Sequence, residues 1–80
     1  MTEKTVTIKT SLDARQAAFF VQKAGQYQSD IRLAVQDKKV NAKSIMGTIA
    51  LGMTAGQDLL IMAEGSDEEA AVNALVEILA

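Results

Sequence analysis

Residues 30–51 read DIRLAVQDKKVNAKSIMGTIAL, and they decide the fold because the apolar period changes within them. Ile31, Leu33 and Val35 alternate with Arg32 and Ala34, the pattern of a strand with one buried face. QDKK then reads as a turn into a short strand around Val40. Ser44, a good helix N-cap, opens a short helix over residues 44–51, with Ile45, Met46 and Ile49 on its apolar side. Strand, turn, strand and helix thus follow each other with no spacer.

Working outward toward the start, KTVTIK (residues 4–9) sets Val6 and Ile8 against threonines and lysines, a second half-buried strand. From Ala14 the period becomes helical, with Ala17, Phe20, Val21 and Ala24 on one face and Gly25 as the stop. Asp13, immediately before it, is a favoured N-cap whose charge suits the helix dipole. Toward the end, TAGQD breaks the second helix and LLIMAE is a strand with Leu59, Ile61 and Ala63 sharing a face. SDEEAAVNALVEILA closes the chain as a helix. Ser66 and Glu69 have capping-box spacing, and Ala71, Ala74, Leu75 and Ile78 form the expected buried stripe.

The order is β-α-β-β-α-β-α. Every strand and every helix has one apolar side to cover. An α+β open-faced sandwich satisfies all of them: four antiparallel strands in one sheet, three helices on one face. Eighty residues are expected to form a single domain, residues 1–80.

Composition removes several functional classes. Cysteine and histidine are both absent, so thiolate chemistry, a disulfide framework and an ordinary zinc site are excluded; no metal and no cofactor are expected. AAFFV and LLIMA are the longest apolar runs, well below the roughly 18 residues of a membrane span. With no basic-then-apolar leader, a cytoplasmic location is expected. All eight bases lie within residues 1–43, where they outnumber four acids, and the six later acids face no base at all. The bases are scattered without interleaved aromatics, so direct nucleic-acid binding is not expected and a solvated mixed-charge surface is.

Two segments carry a resemblance. VNAKSIMGTIALGMTAG, residues 40–56, is similar to the regulatory serine segment of the HPr family, the small phosphocarriers of the bacterial sugar phosphotransferase system. LDARQAA resembles the family's active-site loop, in which a histidine, an alanine, an arginine and a proline stand in succession. Ala14 and Arg15 match, whereas Asp13 replaces the histidine, Gln16 the proline, and Ser11 a glycine. The resemblance runs almost end to end and is nearest to the family's catabolite-repression members, which lack the active-site histidine. It implies the HPr-like fold described above. It further implies phosphorylation of Ser44 by the HPr kinase/phosphorylase, and corepressor action on a dimeric regulator of the catabolite control protein A type.

The residues have plainer readings beside these. Ser44 is an N-cap as well as a phosphosite, and the two are compatible. Ile45 and Met46 are either core or a docking patch, and Arg15 is either a partner contact, with Gln22, or a solvated arginine loosely paired with Asp13. Asp13 as cap or anion mimic outweighs Asp13 as phosphoacceptor, because aspartyl phosphate chemistry enlists a metal and supporting acids. The expected protein is not an enzyme. Two alternatives stay open: a phosphocarrier, or a degenerate or engineered variant of one, relaying phosphate through Asp13; and a module that keeps the fold but binds an unrelated partner.

Overall fold

The computed structural model describes residues 1–79. Its elements are β1 (Thr2–Thr7), α1 (Ala14–Gly25), β2 (Asp30–Val35), β3 (Lys38–Asn41), α2 (Ile45–Leu51), β4 (Asp58–Glu64) and α3 (Glu68–Leu79). This is the expected order. The four strands form one antiparallel sheet in the spatial order β1-β4-β2-β3. β4, the last strand made, therefore lies between the first two, pairing Val6 with Leu59 on one side and Leu33 with Ile61 on the other.

Alternation does what the sequence pattern requires. Val6, Ile31, Leu33, Val35, Leu59, Ile61 and Ala63 are buried on one face, while Thr5, Thr7, Arg32 and Lys39 lie exposed. The helices cover the buried face and fill it chiefly with Phe20, Ala24, Leu51, Val72 and Leu75. Phe20 has no exposed surface; its truncation to alanine would cost about 3–5 kcal/mol. Gln36 takes a left-handed φ of 56° to close the β2–β3 hairpin.

Three local expectations are corrected. In α3 the buried residues are Ala71, Val72, Leu75 and Leu79, with Ala74 and Ile78 only half-buried: the helix is rotated toward Val72 by its packing on β1 and β4. Ser66 and Glu69 form no capping box among the described residues. Glu68 instead folds back to accept from the Gly65 amide (3.3 Å) and from the Thr2 hydroxyl (2.6 Å). Asp67, at the head of the same helix, accepts from the Gln28 amide (2.8 Å), the Ser29 amide (3.0 Å) and the Ser29 hydroxyl. Gly65, at φ 155°, makes room for that contact, since a Cβ there would meet the Ser29 Cα at 2.7 Å. Finally, α2 does not bury its Ile45, Met46, Ile49 side; Thr48 and Leu51 face the interior.

Candidate functional site

The segment leading into α1 is held by long-range bonds before the helix begins. Leu12 donates its amide to the Met53 carbonyl (3.0 Å), and the Ser11 hydroxyl accepts from the Ala55 amide (2.8 Å). Asp13 is then delivered in extended conformation as the N-cap. Its Oδ1 accepts from the Gln16 amide at 2.8 Å, while Gln16 Oε1 accepts from the Asp13 amide at 3.2 Å, a complete capping box. The helix-start amide that an incoming anion would use is already bonded to a carboxylate, and that carboxylate repels a second negative charge.

Arg15 and Gln22 lie exposed on α1. Arg15 forms no ion pair among the described residues, so the loose pairing with Asp13 does not occur; the Asp13 side chain is engaged by Gln16 instead. Phe19, one turn beyond Arg15, is 57% exposed although Phe20 beside it is fully buried. The sequence reading missed Phe19, but its spacing shows it: it falls outside the Ala17, Phe20, Ala24 stripe.

The second candidate segment is built by a tight turn after β3. Asn41 Oδ1 accepts from the Lys43 amide (2.9 Å) and the Asn41 carbonyl from the Ser44 amide (3.0 Å). Lys43 Nζ donates to the Tyr27 carbonyl at 2.7 Å, tying the turn to the chain just past α1. Ser44 follows as an exposed N-cap, its Oγ accepting from the Gly47 amide at 3.1 Å. Immediately beyond, Ile45 is 42% exposed, Met46 76% and Ile49 48%. The choice between core and surface thus falls on surface. α1 and α2 pack against each other and between them carry four of the five large apolar side chains left exposed.

A pocket of about 140 Å³ joins the two segments, lined by Ser11 and Asp13 on one side and Thr48, Ile49 and Thr54 on the other. Thr48 Oγ1 is buried with no hydrogen-bond partner, which no local pattern would reveal. No group of three His, Cys, Asp or Glu side chains that could hold a metal ion exists among the described residues.

This geometry has relatives. The profile of the PTS HPr component phosphorylation site family matches residues 2–80. The chain belongs to the HPr family. It is 44% identical to the HPr-like protein Crh of Halalkalibacterium halodurans, over 99% of this chain and 96% of that one. The phosphocarrier protein HPr of Bacillus anthracis superposes with a TM-score of 0.95 at 41% identity, covering 99% of this chain and 96% of that one. The catabolite-repression protein Crh of Bacillus subtilis, in a domain-swapped dimer, superposes at 0.79 with 44% identity, covering 92% of this chain and 85% of that one. Two curated relatives named HPr-like protein Crh thus share 44% and 47% identity with this HPr-family chain over 99% and 88% of its length. No helix among its described residues is long and apolar enough to cross a membrane.

Proposed function

We propose that this HPr-family protein is a cytoplasmic, non-enzymatic regulator of carbon catabolite repression, switched by phosphorylation of Ser44. The observation that carries the reading is an exposed serine N-cap flanked by exposed Ile45 and Met46, in an HPr-family chain whose phosphohistidine position holds a helix-capping aspartate. The HPr kinase/phosphorylase supplies the phosphate. Ser44 Oγ attacks the γ-phosphorus of ATP, the bond to the ADP oxygen breaks as the Oγ–P bond forms, and the hydroxyl proton passes to a base on the kinase.

The fold tolerates the product. A phosphoserine brings roughly −2 charge and three acceptor oxygens to a helix start, where first-turn amides and the dipole favour it. The added group stands beside apolar side chains, so a partner must offer a basic group and an apolar recess together. A repressor of the catabolite control protein A type is that partner, with Arg15, Gln22, Ile45 and Met46 completing the contact. The test is mass spectrometry after incubation with ATP and the HPr kinase, followed by repressor binding. Phosphate on Ser44 alone, with binding that appears only after treatment and weakens with salt, is expected. Modification at Ser29 or Ser66 instead, or none, refutes the reading.

A further inference from the structure

Gly47 is the third residue of α2, and its amide holds the Ser44 hydroxyl. Glycine is a poor helix former, and left-handed backbone does not demand it here: the positive-φ glycines are 52, 56 and 65. Its environment gives the reason. A Cβ at this position would lie 3.3 Å from Ser44 Oγ, 3.3 Å from Val40 Cβ and 3.5 Å from Ser44 Cβ, with the first two closer than ordinary van der Waals contact. Val40 is fixed by its pairing with Leu33 across β2 and β3. Ser44 Oγ hangs on a single rotatable bond. If a side chain were added at 47, the hydroxyl is what would give way.

From this we infer that Gly47 is a positioning residue for phosphoryl transfer to Ser44. Its bare Cα leaves the space in which the hydroxyl sits, and its amide fixes one lone pair there, leaving the second lone pair and the proton for the incoming phosphorus and the partner's base. This rests on Ser44 being the phosphoacceptor. An alanine at 47 pushes Ser44 Oγ back by a few tenths of an ångström, which loosens its bond to the amide and misaligns the nucleophile. Ile45 and Met46, exposed beside it, keep their places.

The test uses the full chain and two readouts. In Gly47→Ala, the three-bond couplings that report Ser44 χ1 by NMR shift from their parental values. With ATP and the HPr kinase, kcat falls by up to roughly 10-fold while KM changes little, the mark of misplaced chemistry rather than lost docking. Gly25→Ala is the control: a Cβ there meets nothing within 4 Å, and labelling stays at the parental rate. A parental χ1 in Gly47→Ala overturns the inference, and so does a parental kcat. If the parent itself takes no phosphate, the Ser44 reading fails separately, and the χ1 measurement still decides whether Gly47 holds the hydroxyl.

Discussion

Asp13 and Ser44 occupy the same position in two packed helices, each giving a side-chain oxygen to the amide three residues on. The surroundings differ. Asp13 is answered by Gln16, whose side chain closes the box, so its cap is reciprocal. Ser44 is answered by Gly47, which has an amide and no side chain, so its cap is one-sided and neutral. One motif thus yields a carboxylate cap closed by its N3 side chain in α1 and an exposed hydroxyl with a single amide partner in α2. The lesson is that the residue at N3, as much as the cap itself, decides whether a helix start is closed or open to chemistry.

The largest break in that symmetry is expected from Ser44→Ala. It should abolish labelling by ATP and the HPr kinase completely, as read by intact-mass spectrometry, while Asp13→Ala should leave labelling in place. Ser44→Asp should mimic the phosphoserine poorly, since a carboxylate carries half the charge. Next comes Asp13→His, which removes the carboxylate and supplies an imidazole. Partial phosphate uptake from phosphoenolpyruvate and the general phosphotransferase enzyme is expected. Failure would place further damage at Gln16 or Ser11.

Stability separates the two caps more finely. Asp13→Ala should lose about 1–2 kcal/mol in denaturant titration, because box and dipole contact go together; Ser44→Ala should lose about 0.5–1 kcal/mol. Equal losses would mean the Gln16 half of the box contributes nothing.

The third helix sharpens the contrast, because Asp67 turns from its own helix toward Ser29. The Ser29 hydroxyl first, then the Gln28 amide, hold its carboxyl below the ordinary value. A lowered folded pKa adds stability that is present above the unfolded value, about 4, and lost as pH falls through the folded one. Asp67→Asn should therefore melt earlier than the parent at neutral pH, with the gap closing on acidification below that value. A gap independent of pH would remove the charge from the account.

Much of this was legible in the residues. Period-two and period-three-to-four patterns placed all seven elements, and Asp13 and Ser44 declared themselves as caps before their apolar runs. The misses share a cause. Ser66 and Glu69 have capping-box spacing, yet Glu68 reaches Gly65 and Thr2, and Asp67 finds Ser29 from far along the chain, competitors no local window contains. In α2, apolar side chains stand on a face the fold leaves bare while Thr48 is buried, so amphipathic pattern alone points the helix the wrong way. Periodicity reports that a side is apolar, not what covers it.

The placement of β4 between β1 and β2 also sets an order in time. As the chain leaves the ribosome, the β2–β3 hairpin has its partner at once, but residues 2–7 have no strand to pair with until residues 58–64 have been made. The sheet is completed by insertion rather than by growth at an edge, and its β1–β4 pairing, from Thr2 with Ala63 to Thr7 with Asp58, is the kind of long-range contact that slows folding. Until then two edges meant for β4 stand open, and that interval is when a neighbouring nascent chain can supply the missing strand.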